Sequence, residues 1–331
     1  MSTTPVTPPT PKDVVMQDGP ASLLRFRRAA STGRGPTVLL VPSIINRWYV
    51  LDLFPGSSVA EALVNAGFDT FCLDWGVSGD EDRYLTWDDV VARLGRAVRK
   101  VRRLVGGGPL GMLGYCVGGT LATIHTALHP ESVDALVNLA GPIDFAKGGM
   151  LTELVNPRWF DPEAIGAAGN LPPLQMQAGF VALRPTADMG KILRRFERLG
   201  DDSDGAARND ALEAWAGDNV PFPGAFYGTY IKALYQNNEL FEGRHHIAGE
   251  RVDLARIDCP LLTVVTSRDT ICPPPAALAL EEKVGTRDTE VLEIPGGHVG
   301  AVVGGRAQTM LYPKLAEWFG DKLTAAVRAA E

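Results

Sequence analysis

Residues 110–129 read LGMLGYCVGGTLATIHTALH: an apolar strand-like run, a Gly-rich bend, and an apolar helix-like run. A chain that turns from strand to helix in so few residues forces the residue at the bend into strained backbone. Glycine two positions before it and two after it, here Gly114 and Gly118, lets the strand and the helix pass without collision. The residue at the bend is Cys116. Such a turn throws its side chain above the edge of a sheet and against the positive end of a helix, a setting that favours a thiolate. The pattern therefore constrains the fold to an open α/β sheet with a nucleophile on its carboxyl edge.

The surrounding sequence alternates in the way such a sheet requires. PTVLLVPS predicts a buried strand over 37–41, SSVAEALVNAG a helix over 57–67 ended by Gly67, and FDTFCLDWG a second strand. In TWDDVVARLGRAVRKVRRLV, Thr86 and Asp89 form a capping-box start, and Val90, Val91, Leu94, Val98, Val101 and Leu104 recur at helical spacing. DALVNLAGPID, PLLTVVTSRD and TEVLEIPGG predict further strands, with a helix near 275–284 and an amphipathic helix at the C-terminal end. The expected architecture is α/β, of the α/β-hydrolase kind: a mainly parallel central sheet with helices on both faces. The core is expected over residues 21–144 and 258–331. Between 145 and 257 the alternation fails and aromatic residues accumulate, among them Trp159, Trp215, Phe222, Phe226, Tyr227, Tyr230 and Tyr235. That stretch is expected to be a helical cap inserted over the carboxyl edge. Residues 1–20, rich in Pro and Thr, are expected to be a disordered tail and not a secretory signal.

Composition narrows the function. The chain has 331 residues, of which 45% are apolar and 21% charged, and its net charge of −7 lacks the basic excess of a nucleic-acid binder. No run of ~18 apolar residues occurs, so no transmembrane segment is expected. Cys72, Cys116, Cys259 and Cys272 form no C-x-x-C pair, which weakens zinc and redox readings; three of them are expected to be small buried hydrophobes. VGGGPLG, 105–111, contains G-x-G-x-x-G but precedes a strand instead of following one, so it is a helix terminator and loop.

A cysteine elbow needs a base and an acid. His298, in IPGGHVGA, is alone among five histidines in lying on a Gly-rich loop after the last strand. His245 and His246 are adjacent in the insertion, and His125 and His129 stand four apart on the elbow helix with no third ligand in view, so no metal is expected. For the acid, Asp269 ends the strand before the His298 strand, and Asp144, after the strand that follows the elbow helix, is the alternative. The order Cys, Asp, His is that of α/β-hydrolases. The oxyanion donors are expected to be the backbone N–H of Val117 and one near Ile45, in VPSIINRWY.

Over about residues 37–319 the sequence resembles the polyhydroxyalkanoate synthases. VPSIINRWYVLDLFPGSSVAEALVNAGFDTFCLDWG looks like their oxyanion-loop region and LGYCVGGTLA their cysteine lipase box. WAGDNVPFPGAFYGTYIKALYQNNELFEG looks like their cap helix, and GERVDLARIDCPLLTVVTSRDTICPP with GGHVG like their acid and base segments. The resemblance is strongest to the short synthases that work with a second subunit. It implies that Cys116 is acylated, that His298 generates the thiolate, and that Asp269 supports His298 or helps activate the hydroxyl of the next monomer. It implies 3-hydroxyacyl-CoA as substrate, no cofactor, a second synthase subunit in a homodimeric or hetero-oligomeric assembly, and a cytoplasmic location at the surface of polymer granules. Three positions depart from the family pattern: Thr270 where histidine is common, Ser43 where a second proline is frequent, and Arg47 where lysine is usual. A cysteine thioesterase or esterase of the same fold is the alternative, and a non-catalytic scaffold is disfavoured by the intact Cys–Asp–His set. Arg184, Arg194, Arg195 and Arg198, in the cap, are candidate contacts for the anionic CoA.

Overall fold

The computed structural model describes residues 8–27, 35–182 and 203–330. Eight strands form one sheet: β1 (Lys12–Asp18), β2 (Ala21–Phe26), β3 (Thr37–Val41), β4 (Asp69–Asp74), β5 (Leu110–Tyr115), β6 (Ala135–Leu139), β7 (Leu261–Thr266) and β8 (Thr289–Ile294). Across the sheet they stand in the order β1-β2-β4-β3-β5-β6-β7-β8. The pairs β1–β2 and β2–β4 are antiparallel, and every other neighbouring pair is parallel. Strands β3, β5, β6 and β7 are buried at every residue, which explains why they read as continuous apolar runs rather than alternating ones.

Three helices of the first half fill the connections: α1 (Val59–Asn65), α2 (Trp87–Val105) and α3 (Val117–Leu128). Ser58 caps α1 by accepting from the Glu61 amide at 2.9 Å. The Thr86–Asp89 capping box opens α2 in both directions, Asp89 N to Thr86 Oγ1 at 3.1 Å and Thr86 N to Asp89 Oδ2 at 2.9 Å. Gly106, at φ +79°, ends the same helix in the left-handed region that glycine occupies at least cost.

The segment between β6 and β7 supplies α4 (Met150–Leu154), α5 (Pro162–Ala167), α6 (Pro173–Ala182), α7 (Ser203–Gly217) and α8 (Gly224–Thr229). Helix α8 runs on into a π-helix, Tyr230–Gln236. Trp87 of α2 packs on this cap, stacked on Tyr230 at 5.5 Å between ring centroids and 4.7 Å from Phe226. The chain then forms α9 (Pro274–Leu278), α10 (Gly300–Val303) and the long α11 (Tyr312–Ala330). Among the described residues no helix is long and apolar enough to cross a membrane.

The expectation of a disordered tail over residues 1–20 is corrected from residue 10 onward. Thr10 donates its hydroxyl to the fully buried Asp52 at 2.6 Å, and Lys12–Asp18 forms the sheet's edge strand. The two-residue turn Gly19-Pro20, with Gly19 at φ +59°, closes the β1–β2 hairpin. The strand is hard to read from sequence because it is short, bulged between Val14 and Met16, and mostly solvent-facing, so its alternation is weak.

Replacing Thr86 by Ala removes the cap of α2, a 19-residue helix that packs on α3. It is expected to lower unfolding stability by about 1 kcal/mol, read as a shift in urea midpoint at unchanged slope.

Candidate active site

The bend between β5 and α3 holds Cys116 at φ 56° and ψ −128°, a conformation costly for any residue but glycine. Sterics around it leave no slack. A Cβ on Gly114 would lie 2.4 Å from the Gly118 carbonyl oxygen, and one on Gly118 would lie 2.0 Å from that of Val41. The Cys116 amide donates to the Leu139 carbonyl at 3.0 Å, tying the bend to the end of β6. Helix α3 is buried along its whole length, so the strain is held by packing on every side.

His298 reaches the same place from the loop after β8. Its Nδ1 meets Asp269 Oδ2 at 2.7 Å. Asp269 is held in turn by the Thr266 hydroxyl at 3.1 Å and by the backbone amides of Ile271 and Cys272, each 2.9 Å from Oδ1. Burial alone would raise the Asp269 carboxyl. The hydrogen bond and charge of His298, with the two amides, outweigh it and hold that carboxyl below its usual range. Burial likewise opposes the charged imidazole, but the Cys116 charge and then Asp269 overcome it, and the His298 pKa is pushed up to about 10. The outer ring nitrogen, Nε2, is left to face the Cys116 sulfur, whose charge and hydrogen bonding both raise the imidazole. Tyr115 stacks on the imidazole at 5.2 Å and fixes its plane.

Asp144, the alternative acid, serves another purpose. It accepts from the Asn238 amide at 2.8 Å and pairs with Lys147 at 3.1 Å, joining the end of the π-helix to the loop after β6. Val117 and Ile45 border the same cavity as Cys116. The loop bearing Ile45 is pinned by the cap: Asn46 donates to Asn219 at 2.7 Å, Trp215 Nε1 donates to the Arg47 carbonyl at 2.9 Å, and Arg47 pairs with Asp218 at 3.5 Å. His125 lies buried against Ser132 with its pKa lowered to about 3, chiefly by burial, and tilts toward His129 at 5.0 Å between rings. Among the described residues no group of three ligating side chains could hold a metal. Arg184, Arg194, Arg195 and Arg198 lie outside the described residues.

Beside Cys116 the described part of the cap lines a cavity of about 360 Å³ whose walls are largely apolar, with Leu151, Phe160, Ile165, Met176, Phe222 and Ile231 among them. Tyr230, Tyr235 and Cys272 also face it. In the sequence the two tyrosines read only as cap aromatics, with no individual role. Cys272 reads as one of the structural cysteines, and the five-residue spacing of the tyrosines matches neither the helical nor the strand period.

The sequence matches the model of the alpha/beta hydrolase fold over residues 36–304, and the structure agrees. A monoglyceride lipase variant from Saccharomyces cerevisiae superposes with a TM-score of 0.57 at 16% identity, over 96% of this chain and 97% of that one, a likeness of fold alone. Within that class, the poly(3-hydroxyalkanoate) polymerase subunit PhaC of Haloferax mediterranei is 33% identical over 317 residues, covering 95% of this chain and 64% of that protein. The PhaC subunit of Allochromatium vinosum is 31% identical over 317 residues, covering 95% of this chain and 89% of that protein. The chain belongs to the poly(3-hydroxyalkanoate) polymerase family.

The charge pairing at His298 can be read directly. In a carbon-labelled imidazole titration, His298 is expected to stay protonated through neutral pH and titrate near pH 10, and in Cys116→Ala its midpoint moves down. Because the folded pKa lies above the ordinary imidazole value of about 6.5, the pairing stabilises the fold fully below that pH and is lost as pH rises through about 10. An unchanged midpoint in the alanine variant would separate the two side chains electrostatically.

Proposed function

We propose that this protein is an acyltransferase that polymerises (R)-3-hydroxyacyl-CoA thioesters into polyhydroxyalkanoate through an acyl-cysteine on Cys116. The observation that carries the reading is the convergence of Cys116, His298 and Asp269 beside an apolar, cap-lined cavity, in a chain of the polymerase family.

The cycle follows from thiol chemistry. The Cys116 proton rests on His298 Nε2 before substrate arrives, and Asp269 stabilises the imidazolium and holds the ring. The thiolate attacks the thioester carbonyl, and the backbone amides of Val117 and Ile45 take up the charge on oxygen. A carbon–sulfur bond to Cys116 forms as the bond to CoA breaks, and the CoA thiolate leaves with the His298 proton. Exchange between two thioesters is nearly balanced in energy, so the acyl group stays reactive on the enzyme. His298 then takes the proton from the hydroxyl of a monomer or growing chain. That oxygen attacks, an ester forms, and the Cys116 thiolate returns. The step from thioester to oxygen ester runs downhill, which a serine acyl-enzyme would forgo. The cap keeps water from the acyl-cysteine, where hydrolysis would release free hydroxy acid. The cycle is redox-neutral and takes the CoA thioester as substrate, so it calls for no bound cofactor.

The same reading includes a second synthase subunit, an oligomeric working form, and action in the cytoplasm at the surface of the polymer granule. The family resemblance supports these.

The test supplies 3-hydroxybutyryl-CoA to the full chain, with and without a companion synthase subunit, and measures polymer, free hydroxy acid and released CoA. Polymer is the expected product. Free 3-hydroxybutyrate as the sole product under both conditions would make the protein a thioesterase instead. Cys116→Ala is expected to abolish CoA release. Asp269→Asn is expected to slow it by about 10⁴-fold, as for an acid that sets a histidine tautomer, and Asp144→Asn far less.

A further inference from the structure

Resting on that function, we propose that Tyr230 and Tyr235 are specificity-determining residues that hydrogen-bond the 3-hydroxyl of the acyl group on Cys116, so that the site takes 3-hydroxyacyl thioesters in preference to plain fatty acyl ones.

In an α-helix, residues five apart point roughly 140° away from each other. Tyr230 and Tyr235 are five apart, yet both face the Cys116 cavity, with ring centroids 5.5 Å apart and planes nearly perpendicular. The reason is the π-helix over Tyr230–Gln236, whose hydrogen bonds close on the fifth residue and bring positions i and i+5 onto one face. π-Helical turns are unfavourable in isolation and gather at functional sites. Here the turn is held by its surroundings. Gln236 donates to the carbonyls of Val155 and Phe160 at 2.8 and 3.0 Å. Asn238, at φ +49°, accepts from the Phe145 amide at 2.9 Å and donates to Asp144. Phe145 buttresses both tyrosine rings edge-on.

The chemistry follows from what lines the cavity. An acyl tail needs only the apolar wall, and a phenol there is a burden unless its hydroxyl finds a partner. The two rings meet edge-on at 5.5 Å, and since a pair of hydroxyls carries two protons, even a bond between them would use only one. One O–H is left to donate into the cavity. Both phenols line the same cavity as the Cys116 sulfur, on which the acyl group would be carried. A hydroxyl two carbons from the thioester carbonyl is the group that would satisfy the spare proton. A plain acyl chain would leave it unpaired, and a site built to bond a substrate hydroxyl discriminates strongly against an analogue lacking one.

The experiment measures single-turnover acylation of Cys116 by intact-protein mass spectrometry, with 3-hydroxybutyryl-CoA and with butyryl-CoA, for the wild type, Tyr230→Phe and Tyr235→Phe. The wild type is expected to favour the hydroxyacyl thioester by on the order of tenfold or more. In at least one Phe variant that ratio should collapse toward one. The ratio is internal to each variant, so a general loss of stability or of active protein does not move it. A wild type acylated at equal rates by both thioesters, or a preference that survives in both variants, overturns the assignment while leaving the acyl-cysteine function standing. A wild type acylated by neither, with the companion synthase subunit present as well as without it, removes the parent function, and the tyrosine assignment with it.

Discussion

The strained bend at Cys116 governs the rest of the molecule. A residue with a side chain sits at positive φ where strand β5 becomes helix α3, and the helix passes so close to β3 that a single carbon on Gly118 would strike the Val41 carbonyl. Such a bend persists only if its surroundings over-determine it. They do so through a helix buried on all sides, two central strands buried at every residue, and an amide bond from Cys116 to the neighbouring strand. In return the sulfur is lifted clear of the sheet and set at the start of a helix, where the backbone dipoles favour negative charge.

The other two members of the site are brought by the parallel order of the sheet. Strands β5, β7 and β8 all end at the same edge, so the residues that follow them, Cys116, Asp269 and His298, arrive together although they are far apart in sequence. Asp269 is anchored by two backbone amides and a hydroxyl before it meets the histidine, so the imidazole has one orientation available. Asp144 ends a parallel strand too, but its oxygens are taken by Asn238 and Lys147. The distinction between the two carboxylates is therefore one of hydrogen-bond partners and not of position along the edge.

The cap does two jobs with one set of contacts. Its Trp215 and Asn219 fasten the loop that carries Ile45, and its π-helix turns two phenols toward the sulfur. The cavity between cap and sheet is apolar apart from a few groups, Cys116, Tyr230 and Tyr235 among them, an arrangement in which charge is felt more strongly than in water.

Local chemistry makes much of this legible in the amino-acid sequence itself. The Gly-x-Cys-x-Gly bend, the Thr86–Asp89 cap and the buried strand runs are short-range patterns, each dictated by sterics or hydrogen bonding among residues a few positions apart. The pairing of His298 with a carboxylate is legible too, but the choice of Asp269 over Asp144 is not, because it depends on what else each oxygen touches. The edge strand Lys12–Asp18 is hidden from sequence reasoning since its stability comes from a hairpin partner and from Asp52, forty-two positions from Thr10. Only the folded cap shows that Tyr230 and Tyr235 share a face, because the π-helical winding that joins them is imposed by Phe145, Gln236 and Asn238 packing against distant loops and not by any preference of the tyrosines themselves.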